Sequence, residues 1–382
     1  MLGIDAEYEL PGSWLLEEDI RKRGGKVERI DQRFVLPGGN ELRLIRSQPS
    51  GQLRRLTIEF FALADEILQP ELQAMADGGC HLQAGRRIVR SPSGITLLEQ
   101  LDSDLETVRW TETLEAPWPV ANDLAGPRVA LIDSGLAYDL PIYRDRLART
   151  PNGMPLGYDF WDDDPLPYDG DTSRSPFLPI RHGSAVASIL VREAPMAALI
   201  PFRYPRPDMT QMGMVIKRAA DAGAKVIAMP LGSRDSDDWT TFANAMRRHP
   251  EVLAIVSAGN DGMDIDQQPL WPATLNLQNL ITVTSSDGFG RLATGSNWGA
   301  KSVDIMLPAE NIDVVDFRGA ADKASGSSYA VARLAALAAR LLDADPTLQA
   351  EGLKDAIFSR ATRSPYEDDV VAIGWLPNPL QD

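Results

Sequence analysis

From about residue 128 onward the sequence predicts an α/β fold: a doubly wound, mainly parallel sheet with helices on both faces. A small α+β domain over residues 1–115 precedes it. Three observations lead there. Short apolar runs that read as buried strands alternate with helical stretches after Arg128. Before that point the pattern is different, with alternating residues around a turn signal. Between the two lies Glu112–Pro127, where Pro117, Pro119 and Pro127 mark a break, so 116–127 is read as a linker and 128–382 as the larger domain.

Taken in order, Lys26–Ser47 alternates around Pro37-Gly38-Gly39-Asn40, a hairpin signal, and Leu56–Phe61 is a further strand. Ala64–Met75 and Gly94–Leu105 are predicted as short amphipathic helices. In the larger domain, strands are expected at Val129–Ile132, Ala198–Phe202, Val226–Met229, Val252–Val256, Leu280–Val283 and Val303–Met306. Helices are expected at Ser184–Val191, Met212–Ala222 and Trp239–Arg248. A long Ala/Leu-rich helix follows Ser328, and Leu348–Arg360 forms the last one.

With 54 acidic against 38 basic residues the 382-residue chain carries a net charge of −16. That balance excludes nucleic acid and an anionic membrane surface as main partners, because phosphate binding requires a basic face. The single cysteine, Cys80, precludes an intramolecular disulfide framework. The first residues, MLGIDAEYELPGSW, lack the basic and apolar regions of a signal peptide. The longest apolar stretch, Tyr329–Leu342, is interrupted by Arg333 and Arg340 and is too short to span a bilayer. The chain as given is expected to be cytoplasmic, with a periplasmic or secreted location as the alternative if a leader has been trimmed.

Four segments carry chemistry. VALIDSGL surrounds Asp133, RHGSAVAS surrounds His182, IVSAGNDG contains Gly259 and Asn260, and SGSSYAVA contains Ser328. Asp…His…Ser is one of three unrelated chain orders in which the same acyl-transfer machinery occurs. Each residue also has a simpler explanation: Ser328 as a helix N-cap, Asp133 as a turn cap at a strand end, Asn260 as a loop asparagine after glycine. Of the three histidines, His249 precedes a proline at a helix end and reads as a surface cap. His81 has no comparable context. Only His182 is followed by Gly183 and a small-residue helix, which leaves the imidazole room to reach a substrate.

Together, and in this order, the four segments resemble those of the subtilisin-like serine proteases (subtilases), over roughly residues 124–365. Trp271-Pro272-Ala273, Gly295–Gly299 and Val303–Ile312 extend the resemblance. It implies Ser328 as nucleophile, His182 as general base, Asp133 as the group orienting the base and Asn260 as oxyanion donor. It also implies a substrate-binding edge at Pro230, Leu231, Gly232 and Gly259. A protein or peptide substrate follows, and the chemistry requires no cofactor.

Departures from the family pattern concern the substrate. Ser184 and Ser327 stand where threonines are usual, and Ala332 stands for a proline. Ala228 and Pro230 replace an asparagine and a serine, and Pro230 has no N–H to offer a substrate backbone. The opposite edge, Tyr204–Asp208, carries Pro205 and Pro207. Prolines on both edges lead us to expect a selective, processing-type protease. The alternative is a gated or inactive module that binds a protein partner. An esterase would call for a GxSxG elbow, which the sequence lacks.

The aspartates of Trp161–Asp171 are of the type that can hold Ca²⁺, but their spacing matches no defined loop, so a solvated acidic turn at the rim of the cleft is expected. Residues 1–115 suit either a cleaved propeptide or a retained domain that binds a regulatory partner. The lack of clear resemblance to the common propeptide favours retention.

Overall fold

The computed structural model describes residues 12–121, 124–366 and 369–381. The signal-peptide reading therefore falls almost entirely outside the described residues. The chain divides into two units. One contains the residues up to Ala116 together with Thr172–Pro179, and the other contains Pro117–Asp171 and Ile180 onward. The excursion of residues 172–179 into the first unit has no counterpart in the sequence reading.

The larger unit begins with β9 (Arg128–Asp133), which follows the eight strands of the first unit. It continues with α1 (Pro141–Arg144), β10 (Tyr158–Asp159), α2 (Gly183–Glu193), β11 (Ala198–Arg203), α3 (Met212–Asp221), β12 (Val226–Met229), α4 (Thr240–Arg248) and β13 (Leu253–Ser257). Next come β14 (Leu280–Ser286), β15 (Ile305–Pro308), the hairpin of β16 (Ile312–Val315) and β17 (Ala321–Ala324), α5 (Ser327–Ala344), α6 (Ala350–Phe358) and β18 (Gly374–Trp375). The sheet order is β10-β11-β9-β12-β13-β14-β15-β18, and every pairing is parallel.

This is the doubly wound fold the sequence predicts. The strands β9, β12, β13 and β14 are buried along almost their whole length, as strands of a parallel sheet covered on both faces are; β12 is wholly apolar, whereas β14 also buries Thr282, Thr284, Ser285 and Ser286. The predicted Val303–Met306 strand is shifted to Ile305–Pro308. From β9 the chain passes to β10 at the edge of the sheet and returns through β11, which lies between β10 and β9. From β12, the neighbour of β9 on the other side, it goes on to β13. The order thus reverses between β9 and β12, and loops beyond the carboxyl ends of strands at such a reversal form a crevice.

The first unit is one antiparallel sheet of eight strands in chain order: β1 (Trp14–Arg23), β2 (Lys26–Val35), β3 (Glu41–Ser47), β4 (Arg55–Ala64), β5 (Ile67–Asp77), β6 (Leu82–Arg90), β7 (Thr96–Leu101) and β8 (Val108–Glu115). The predicted hairpin is β2–β3, its turn closed by Leu36 N–H donating to Asn40 O at 2.8 Å.

The two helices expected here are strands, so the α+β description of this unit is corrected to all-β. Pro70 explains the first error. Inside a helix it would remove a hydrogen bond and clash with the preceding turn. Here it sits opposite Phe61 beside a bulge, and from Leu72 the residues alternate across β5. In β7 the apolar residues Leu97, Leu98 and Leu101 fit a helical stripe as well as a strand. Pairing with β6 and β8 decides between them.

Candidate active site

Asp133 is the last residue of β9, at the reversal point, and only 3% exposed. Both its carboxylate oxygens lie 2.8 Å from His182 Nδ1. His182 is the N-cap residue of α2. Close backbone packing brings the two together: a side chain on Gly183 would place its Cβ 2.0 Å from Gly135 O and 3.1 Å from Asp133 Cβ. Gly183 is therefore required for the start of α2 to approach the end of β9.

A second carboxylate, which the sequence reading did not single out, lies beneath this pair. Asp169 is fully buried. It accepts from Ser134 Oγ–H at 2.6 Å, His182 N–H at 3.3 Å and Ser184 N–H at 2.9 Å. Ser134 Oγ in turn accepts from Gly183 N–H at 2.9 Å. Asp169 and Ser134 thus satisfy the unpaired N–H groups at the start of α2 and favour its positive dipole end.

Other aspartates near Asp169 in the sequence are tied to side chains of β11 and the loop after it. Asp159 and Asp162 pair with Arg203, and Asp171 accepts from Tyr204 O–H at 2.6 Å. The expected solvated acidic turn holds for Asp162 and Asp163, which are exposed, and is corrected for Asp169, which is buried, and Asp171, which is tied to a largely buried tyrosine. Among the described residues no group of three or more His, Cys, Asp or Glu side chains is arranged to hold a metal ion. Asp169 is one of five aspartates between 161 and 171, and nothing in their spacing distinguishes it.

Burial of the His182 ring would lower its pKa. The Asp133 carboxylate outweighs this through charge and hydrogen bond, with a smaller contribution from Asp169, so the pKa is raised above the usual 6.5.

Ser328 is the second residue of α5 and 7% exposed. Gly326 precedes the helix with φ +135°, a conformation that side chains rarely adopt, and a Cβ there would meet Asn260 Oδ1 at 3.0 Å. Asn260 Oδ1 accepts from Ser327 N–H at 2.9 Å and from Ser327 Oγ–H at 3.0 Å. Its amide oxygen is thereby committed to the helix start. The ring of Tyr329, next in sequence to Ser328, lies 6.1 Å from that of His182.

The Asn260 loop is held by Asn297, whose Oδ1 accepts from Asp261 and Met263 N–H and whose Nδ2 donates to Ala258 O at 2.8 Å. GSNWG carried that signal as a motif without a role. Behind the site, Glu193 of α2 and Arg333 of α5 form a buried pair at 3.0 Å that joins the two helices. Nothing in the sequence pattern marks it.

At the expected substrate edge, Pro230 is buried, Leu231 half-buried and Gly232 exposed. Ser233 and Trp271 exchange two backbone hydrogen bonds of 2.8 Å. Leu270 Cδ2 lies 3.6 Å from where a Cβ on Gly232 would stand and 2.7 Å from the same point on Gly259. His249 takes the role predicted for it, capping α4 through its backbone N–H. Cys80 is exposed.

Residues 125–375 match the model of the subtilase family (peptidase S8). A thermophilic serine proteinase of Bacillus sp. (strain AK1) is 28% identical over 240 residues, 59% of this chain, which spans only 54% of that relative's length. Thermitase of Thermoactinomyces vulgaris is 25% identical over 268 residues, covering 66% of this chain and 87% of that protein. Among solved structures, that of the subtilase cytotoxin SubAB assembly aligns with a TM-score of 0.54 at 23% identity, over 67% of this chain and 88% of that one. At that identity the likeness concerns the fold.

Proposed function

The chain belongs to the subtilase family, and from that premise we propose that it is a selective serine endopeptidase acting through Asp133, His182 and Ser328. In this reading Ser328 Oγ attacks the scissile carbonyl and His182 Nε2 takes its proton. Asp133 accepts a hydrogen bond from Nδ1–H, which fixes the tautomer and stabilises the imidazolium. The oxyanion is met by Ser328 N–H, at the positive end of α5, and by Asn260 Nδ2. Collapse of the tetrahedral intermediate gives an acyl-enzyme, which water hydrolyses with His182 again as base. The observation that carries the proposal is the contact of both Asp133 oxygens with His182 Nδ1. Engagement of Asn260 Oδ1 by Ser327 supports it, because it orients the amide so that Nδ2 is left to donate. The nucleophile, base and donors are all side chains or backbone of the chain itself, so the reaction calls for no cofactor.

Selectivity rests on two features of the edge. Pro230 has no N–H for a substrate backbone, and Leu270 fills the space between Gly232 and Gly259. A small residue before the cut is expected, within a protein or peptide substrate. Rapid, indiscriminate degradation of casein would sink this part.

A fluorophosphonate probe tests the core of the proposal. Wild type should be labelled and Ser328→Ala should not be, with the label on a peptide containing residue 328. A well-folded wild type that resists the probe would instead point to a gated or inactive module.

A further inference from the structure

The excursion of Thr172–Pro179 is not a passive insertion. One row of residues crosses six strands of the first unit in register: Arg33, Arg43, Glu59, Gln73, Arg86 and Gln100. Three members of that row engage the excursion. Arg43 Nη1 donates to Arg174 O at 3.0 Å, Ser175 Oγ–H donates to Glu59 Oε1 at 2.5 Å, and Arg86 Nη1 donates to Phe177 O at 2.6 Å. Gln73 Nε2 supports Glu59 Oε1 at 2.9 Å, and Arg43 faces the other Glu59 oxygen at 3.6 Å. Beside this row, Phe177 is fully buried with Ile88 and Leu98, packed against Phe61 and Leu114.

The sheet is incomplete without this segment. A single antiparallel sheet has no second layer of its own to bury an apolar face. The apolar cluster of Ile88 and Leu98 on its strands includes Phe177 as its third buried member. Glu59 and Gln73 are fully buried, and removing Ser175 would take a partner from a buried carboxylate. Residues up to Ala116 therefore lack part of their own unit, which argues against release of a free-standing propeptide.

The base of the excursion is closed by two backbone hydrogen bonds of 2.8 Å between Asp171 and Ile180. Two residues before Asp171 lies Asp169, the acceptor for His182 N–H; two residues after Ile180 lies His182 itself.

We propose that the N-terminal sheet is retained in the working enzyme as a receptor for the 172–179 segment, and that Ser175 and Phe177, held there, are positioning residues for His182. The positioning part rests on the serine-protease reading; the receptor part does not.

Val120 is fully exposed, so a site-specific protease sequence inserted after it gives a cuttable chain. After cutting, the two fragments should co-elute on a native sizing column and separate in denaturant. In the cut Phe177→Ala protein they should separate without denaturant. Uncut Phe177→Ala should react with the fluorophosphonate roughly 10- to 100-fold more slowly, and should lose kcat at unchanged KM on a small peptide ester. Phe177→Leu should restore most of the rate. Ser175→Ala gives a second, milder variant should Phe177→Ala fail to fold.

Native separation of the wild-type fragments, or cut Phe177→Ala fragments that stay together, overturns the receptor claim. Full labelling rates in both variants overturn the positioning claim. Absence of labelling in uncut wild type would refute the serine-protease reading and the positioning claim with it. The column result would still decide the receptor claim.

Discussion

The two units of this chain hold their residues in place by different means. In the larger unit, β9, β12, β13 and β14 are buried along almost their whole length, and functional positions are set by backbone meeting backbone, as at Gly183 against Gly135. In the first unit β1 is exposed throughout and β2 and β3 are half-buried at nearly every position. Its strands are stitched by cross-strand ion pairs such as Arg33 with Glu17 and Glu41. Close-packed backbone tolerates little displacement, whereas solvated side-chain pairs tolerate much. The contrast explains why the catalytic candidates lie where they do: an Asp–His contact at 2.8 Å needs the first kind of support.

The largest expected effect probes the tight side of this contrast. Asp133→Asn should lower kcat by about 10⁴, the magnitude known for the equivalent change in another serine-protease triad. It should also move the acidic limb of kcat/KM. In wild type that limb lies above pH 6.5, because Asp133 outweighs burial and raises the His182 pKa. With the carboxylate gone and burial remaining, it should fall below 6.5. The linked stability has the opposite sign to activity. A pKa raised on folding stabilises the native state below about pH 6.5, and that contribution is lost as pH rises through the folded value. Activity appears in the same window, and rate and unfolding curves measured across it should cross. Parallel curves would remove Asp133 from its assigned role.

Glu193→Ala comes next. It strands Arg333 between α2 and α5 and should cost about 3–5 kcal/mol in a denaturant titration, as breaking a buried pair does. A cost below 1 kcal/mol would mean the two helices are not joined as tightly as their burial implies.

Asn260→Ala should reduce kcat by about 10²–10³, a range taken from measurements on a member of this family, and cost about 1–3 kcal/mol of stability, because the buried Ser327 N–H loses its acceptor. A stability loss without a rate loss would instead make Asn260 a clamp on Ser327.

The smallest effect belongs to the open side. Glu17→Ala should change stability by only about 0–1 kcal/mol, less at high salt, because Glu17 is largely exposed and Arg33 keeps its pairing with Glu41. A cost of several kcal/mol would erase the distinction between the units.

How legible each region was follows the same division. Strands such as Val226–Met229 were readable because a strand covered on both faces must be apolar throughout. The half-buried strands of the first unit were not. Ala64–Met75 carries apolar residues at both helical and alternating spacings, and Pro70 was the local sign that decided against a helix. Asp133, His182, Asn260 and Ser328 stood out because glycines and small residues flank each of them. Asp169, Ser134, Arg333 and Glu193 did not, because a buried polar residue looks like an exposed one until its partners are known.

The sequence by itself pointed to the parallel sheet, to most of its main strands and helices in order, and to four segments as candidates for chemistry, because burial on both faces and close backbone approach each restrict which residues can stand at a position. Only the tertiary structure decided that Asp169 accepts from His182 N–H, that Glu193 finds Arg333, and that residues 172–179 belong to the first unit and not to the larger one. These are pairings between distant parts of the chain. A single sequence records the residues of such a pair but not their partnership.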